Sequence, residues 1–416
     1  HEEKSQALII IIILIILILI IIILILIILI ILILILILIT IMAYYNTIKD
    51  PSTFVQKARG KANFAALYRA RDWESAVSKW DSKHLFASRV LCSAPNSRLP
   101  LFSNFFPESP RGIHHCIDQL IDGPASIAAL AQMSEPQLVQ QYEPDSLGYL
   151  WSALAAFVQA ILSVPNPTTT PSTPKRESKK PSLLGDYVRS DQIQIESSPP
   201  DHHDRPPSSG SSVGYVEKLE APLLEDATVR LASCFIRCVL NYAQAWNKPG
   251  PFVRFRDERL TYSYSLDGTH SVRAVDEGGL QLQLNTGPKT VVQVAQLEGK
   301  RTFNTIVNGR PVVTDGLLAQ MVGEALALER DDNRDQILPN HSITILVCTH
   351  YVSFFHFHMT DDFLSSFERR STTDSTPASF LRVDSTRWFD IKMSDQRQQI
   401  VSHLLALIAW ADATAG

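Results

Sequence analysis

Glu298, Gly299 and Lys300 close an apolar run that begins near Thr290, and Asp276 stands 22 positions before Glu298. On a strand, side chains two apart share a face, so Glu298 and Lys300 emerge together while Gly299 leaves its carbonyl accessible. If Asp276, at the end of a neighbouring strand, faces the same way, two carboxylates and one carbonyl offer the hard oxygen donors that Mg²⁺ or Mn²⁺ prefers. Lys300 can then orient or help deprotonate a water, or offset charge gathering on a phosphoryl oxygen. Phosphodiester hydrolysis is the chemistry this constellation suits best, with Asp276, Glu298 and Lys300 as its catalytic set. Glu277, next in the chain, is a rival for the ligand role. The plain alternatives are a surface ion pair for Glu298 and Lys300, and a turn former for Asp276 beside Gly278 and Gly279.

The elements that must position these groups can be read from periodicity. Leu223 to Trp246 carries apolar residues at helical spacing, with Glu225 and Asp226 near its start, where acids favour the helix dipole. Phe252 to Phe255, Leu260 to Leu266 and Ser271 to Val275 read as successive strands, with a turn at Asp267-Gly268. Thr290 to Leu297 is the apolar strand that delivers the Glu-Gly-Lys sequence. Asp315 is expected to cap a helix over Leu317 to Leu328. Ile343 to Cys348 and Tyr351 to Phe357 read as two more strands, and Gln399 to Trp410 as a closing helix. The order predicts an α/β (α+β) domain over 214–416, a mixed sheet with helices on its faces.

Three segments precede it. Every residue from Leu8 to Ile39 is Leu or Ile, so 1–42 reads as a low-complexity tract, either an artefact of repetitive coding or a membrane anchor, and it inflates the hydrophobic content of 45%. Residues 43–164 show apolar spacings of three and four and read as a small helical domain, with Ser134 and Gln137 as a capping pair. This domain fits a packing or partner-binding role. Residues 165–213 are rich in Pro and Ser and too poor in apolar groups to offset the entropy of ordering, so they read as a disordered linker. Its basic run, Lys175, Arg176, Lys179 and Lys180, is a solvated charge cluster or a nuclear import signal. The His202-His203 pair between Asp201 and Asp204 lacks anything to preorganise it for a metal.

The net charge of -4 gives no whole-chain argument for nucleic acid binding. The five cysteines are scattered without a CxxC pair, which points to a reducing, intracellular setting, nuclear or cytoplasmic, without disulfides. Cys234 and Cys238 share a helix face and read as buried small hydrophobes. His356 and His358 share a strand face suited to a metal but lack a third ligand in the sequence around them. No feature fixes an oligomeric state.

Asp276 followed by Glu298-Gly299-Lys300 on an apolar strand, after an acidic first helix, resembles the PD-(D/E)XK nuclease-like (restriction-endonuclease-like) superfamily. Residues 221–237, Leu297 to Arg301, Leu318 to Met321 and Arg387 to Asp390 are similar to fungal proteins carrying that domain, as are Leu120 to Pro124 and Tyr149 to Leu154. The resemblance implies a restriction-endonuclease-like mixed sheet, a divalent cation (Mg²⁺ or Mn²⁺) and a DNA or RNA substrate. It matches Asp276 to the first metal-binding acid, Glu298 to the second, Lys300 to the catalytic lysine and Glu225 to the acid of the first helix, with the Gly299 carbonyl completing the metal set. Gln320 and Glu324 match a polar pair placed against the substrate backbone, and Arg301 stands where it can contact phosphate. Val275 replaces the proline of the family motif. Because the superfamily includes members without catalysis, a silent binding module in a larger assembly is the alternative to a nuclease, and a membrane-tethered scaffold is a third reading that rests on the Leu/Ile tract.

Overall fold

The computed structural model describes residues 17–29, 31, 43–71, 73–162, 225–248, 250–283, 291–301, 306–307, 310–332, 335–368 and 379–415. The segment expected as a linker and most of the Leu/Ile tract lie outside these residues. Within the tract, residues 17–29 are helical (α1) and exposed. Among the described residues no helix is long and apolar enough to cross a membrane.

The architecture is a mixed α/β one. The sheet runs β1 (Val90–Cys92), β11 (Leu381–Ser385), β10 (Tyr351–His358), β9 (His341–Cys348), β6 (Val291–Lys300), β5 (Gly279–Gln283) and β2 (Val253–Arg256), with β12 (Phe389–Asp390) paired to β10. β6 pairs with β9 in parallel and with β5 antiparallel, so the Glu-Gly-Lys strand is central. Four strands of this sheet, β1, β5, β11 and β12, escaped the sequence reading. β5 follows Gly278-Gly279 so closely that it merged with a loop, and β11 lies in a short polar stretch (LRVDS) with little alternation.

Side-chain alternation divides the interior into two layers. Leu297, Ile345, Val347 and Phe354 face a core shared with α10 (Glu225–Ala243), α13 (Ser394–Ala415), α6 (His115–Asp122) and α9 (Asp145–Leu162). Leu346, Phe355, Phe357 and Val383 face a second core with α11 (Asp315–Arg330), α5 (Ser82–Ala87) and the hairpin of β3 (Thr261–Ser265) and β4 (Ser271–Val275). Period-two alternation within β9 and β10 is what lets one strand serve both cores. Burial of these apolar faces is the main driving term, at roughly 25 cal/mol per Å² removed from water.

The residues expected to form a separate helical domain contribute to both layers. Leu120, Trp151 and Phe157 sit in the first core, Tyr44, Phe54 and Phe64 in the second, and β1 adds a parallel edge strand beside β11. The capping pair Ser134 and Gln137 is present, with Gln137 Oε1 accepting the Ser134 amide at 2.8 Å. For α11 the expected cap differs. Thr314 accepts the Leu317 amide, while Asp315 turns away to accept the Tyr44 amide at 2.8 Å and so ties α2 (Tyr44–Thr47) to this helix.

Candidate functional site

Lys300 ends β6 with its ammonium 2.5 Å from Glu298 Oε1 and 3.4 Å from Glu225 Oε1 at the first position of α10. Glu298 is buried, and its Oε1 also accepts from Gln320 Nε2 at 2.6 Å. The same Gln320 nitrogen donates to Glu324 Oε1 at 2.8 Å, one turn further along α11. Glu298, Lys300, Glu225, Gln320 and Glu324 therefore converge at the carboxyl end of the central strand. Lys300 and Glu225 keep about a fifth of their side chains exposed and form the open rim, while Glu324 is fully buried behind them.

Asp276 and Glu277 divide differently from the sequence expectation. Asp276 is fully buried, with Oδ2 at 2.5 Å from Arg256 Nη2 and Oδ1 accepting from Arg256 Nη1 at 3.1 Å and from the Leu260 amide at 3.0 Å. The Tyr262 hydroxyl also donates to Oδ2. Both oxygens are thus filled, and the structure does not deliver Asp276 to the Lys300 cluster as an open ligand. Glu277 instead reaches it from the Gly299 side, where its Oε2 accepts the Gly299 amide at 2.8 Å. Adjacent residues cannot both face one cluster from regular extended backbone. Gly278, at φ 133°, breaks the regularity between this pair and β5.

Gly299 has a steric role at that point. A methyl group on its Cα would meet Glu277 Oε2 at 2.5 Å and Val229 Cγ2 of α10 at 2.8 Å, so only glycine lets the carboxylate and the helix approach together. Its amide donates to that carboxylate. Arg301 follows the strand end and is half-buried.

The electrostatics are those of a carboxylate excess. Four glutamates, 225, 277, 298 and 324, meet one lysine. Burial pushes Glu277 up to about 9, helped by the negative charges of Glu298 and Glu225. Burial likewise raises Glu298, against the pull of Lys300, and it raises Glu324, helped by Glu298. Burial pulls Lys300 down, but Glu298 and Glu225 outweigh it and hold the ammonium above its ordinary range. Glu298 Oε2 and Glu324 Oε2 are buried without a hydrogen-bond partner. Desolvated carboxylate oxygens of this kind must hold protons or a cation. An all-oxygen donor set with excess negative charge fits a hard divalent ion, so the residues present suit Mg²⁺ or Mn²⁺.

Family models, curated proteins and solved structures yield no match to this chain. The case for a function therefore stands on the cluster itself.

Sequence reasoning gave Glu277 only a rival's place and passed over Arg256, which shares the strand parity of exposed Arg254 yet is buried, so alternation alone does not mark it. His356 and His358 gain a neighbour from across the sheet. His341 on β9 puts Nδ1 2.8 Å from His356 Nε2 and stacks on His358, and Asp384 Oδ2 is 3.8 Å from His356 Nδ1. Cys238 is buried, Cys234 half-buried, and all five cysteines are free.

Proposed function

We propose that this chain is a metal-dependent phosphodiesterase of the PD-(D/E)XK type, acting on DNA or RNA, with the sheet around β6 serving as a restriction-endonuclease-like scaffold. In this reading Glu277 takes the part that the sequence resemblance gave to Asp276. The observation that carries it is the meeting of Glu298, Glu277, Glu225 and Lys300 at one strand end, with more carboxylate than the single lysine can neutralise.

Glu298, Glu277 and Glu225 would hold Mg²⁺ or Mn²⁺, which when bound would lower the pKa of a coordinated water and offset phosphoryl charge. Gln320 fixes the Glu298 carboxylate by donating to Oε1. Lys300 stays protonated beside Glu298 and stabilises negative charge on a phosphodiester entering from the rim. Arg301, directly after Lys300, would meet the substrate backbone, while buried Glu324 holds Gln320 in position. Residues 43–164 flank both cores and would offer substrate or protein partners a surface.

The ion pair of Asp276 with Arg256 favours the second reading, a silent nuclease fold that binds without cutting, because there a guanidinium occupies the place of a cation at the first acid. The two separate in one experiment. The full chain is incubated with single- and double-stranded DNA and RNA in Mn²⁺, beside Glu298→Gln, Lys300→Ala and Glu277→Gln. Cleavage that needs Mn²⁺ and is lost in all three variants supports the enzyme. Nucleic acid binding with no cleavage in the parent chain rejects it in favour of the module.

A further inference from the structure

At the start of α6, far along the chain from the glutamate cluster, three metal-binding side chains follow one another. His114, His115 and Cys116 each present one donor atom, and these lie within 4.8 Å of one another. His115 Nε2 is already 3.3 Å from Cys116 Sγ. In a tetrahedral zinc site, bonds of about 2.0 Å to nitrogen and about 2.3 Å to sulfur place those two donors roughly 3.6 Å apart. The observed edge is close to that value.

Several contacts hold the three groups in place. His114 is the N-cap of α6, its Nδ1 accepting the Cys116 amide at 3.2 Å, and its ring stacks on Tyr242 of α10 with centroids 5.1 Å apart. The two imidazoles lie 4.4 Å apart, centroid to centroid. Cys116 is buried, His114 half-buried and His115 exposed, so the cluster opens to solvent on the His115 side. A dry thiol beneath two imidazoles at a packed junction of α6 and α10 is a rigid support, which metal affinity requires.

The donors also select the ion. Imidazole with thiolate is a borderline-to-soft set that suits zinc and discriminates against the Mg²⁺ or Mn²⁺ favoured by carboxylates. We infer that His114, His115 and Cys116 form a binding site for zinc or a similarly thiophilic divalent cation, with a water in the fourth position on the exposed side. Binding exchanges the Cys116 S–H proton for an S–metal bond and releases that proton to solvent, with no change of oxidation state. Buried Cys238 on α10 lies near Cys116 but is engaged by Ser146, and it stays outside the ligand set. An occupied site would fix the first turn of α6.

The test is cobalt substitution of the full chain after removal of metals by chelation. Co²⁺ bound to a thiolate gives an intense near-ultraviolet charge-transfer band, which carboxylate or imidazole ligation alone does not. The expected result is that band, abolished in Cys116→Ser, retained in Cys238→Ser, and accompanied by at least tenfold weaker Zn²⁺ binding in His115→Ala, an exposed change whose fold is checked by circular dichroism. Absence of the band in the parent chain, or its survival in Cys116→Ser, overturns the site, as does Zn²⁺ affinity unchanged in His115→Ala. Because the band reports the thiolate, the outcome is independent of whether the glutamate cluster binds metal.

Discussion

Glu277 Oε2 accepts the amide hydrogen of Gly299 at 2.8 Å, and the same oxygen occupies the space a side chain at Gly299 would need. The Glu-Gly-Lys sequence is thereby a packing requirement as well as a chemical one. Gly299→Ala should force Glu277 or Val229 to move and cost about 1–3 kcal/mol, the range for overpacking a filled site. Urea denaturation of the variant measures it. A change within about 0.5 kcal/mol, as expected for an unconstrained surface position, would show that the carboxylate is not held where the structure puts it.

Asp276 and Arg256 are a buried ion pair; the Leu260 and Gly278 amides and the Tyr262 hydroxyl also donate to Asp276, and Arg256 also donates to the carbonyls of Glu258 and Gly278. Removing one partner of such a pair leaves a charge stranded in low dielectric and costs about 3–5 kcal/mol. Asp276→Ala and Arg256→Ala should each destabilise by that order, while the double variant should cost far less than their sum. Chemical denaturation of the three variants gives the coupling. Additive losses would mean that Asp276 is free for another role, including the metal ligand the sequence suggested.

Much of this geometry was legible in the sequence, and the exceptions have physical reasons. Glu298, Gly299 and Lys300 were readable because an apolar run fixes the strand and strand alternation fixes the face. Glu225, Gln320 and Glu324 were placed by helical spacing and by the resemblance together. The choice between Asp276 and Glu277 was not legible, since it depends on Gly278 at φ 133° and on Arg256, which only sheet pairing brings near. The sharing of cores by residues 43–164 was likewise hidden, because β1 is three residues long and carries no period of its own. His341 entered the histidine group by cross-strand register opposite His358, a relation that no local pattern encodes.

The raised glutamates make stability fall as the solution becomes alkaline. Glu277 has an ordinary value of 4.5 and is pushed up to about 9 in the fold. Between those values the folded chain holds a proton that the unfolded chain has released, so its stabilisation is present below pH 4.5 and is lost as pH rises through about 9. Glu298 and Glu324 act in the same direction. His341 and His403, lowered by burial from 6.5 to about 4, oppose them, but only below about pH 6.5, where acid favours the unfolded state. From pH 7 to 9 the carboxylates therefore govern, with a slope of at most about 1.4 kcal/mol per pH unit from Glu277. Glu277→Gln mimics the protonated form, so it should flatten the profile and be more stable than the parent at pH 8. Parallel profiles for the two chains would place the titration elsewhere.

A divalent cation should reverse that alkaline loss, because it offers the same carboxylates a partner better than a proton. Binding to the folded state alone stabilises by RT ln(1 + [L]/Kd), about 2.7 kcal/mol at a hundredfold excess over Kd. Mn²⁺ should raise Tm at pH 8, near the value to which Glu277 is pushed, and do so progressively less as pH falls to 5, where protons compete far more strongly for the same oxygens. Glu298→Gln should remove the effect, since it deletes the charge on the carboxylate whose Oε2 lacks any other partner. His115→Ala should leave it intact, because the histidine and cysteine group is a poor match for Mn²⁺. Differential scanning calorimetry with and without Mn²⁺ at the two pH values gives the answer. A shift of equal size at pH 5 and pH 8, or one that survives Glu298→Gln, would locate the ion away from the strand end and remove the chief support for hydrolysis there.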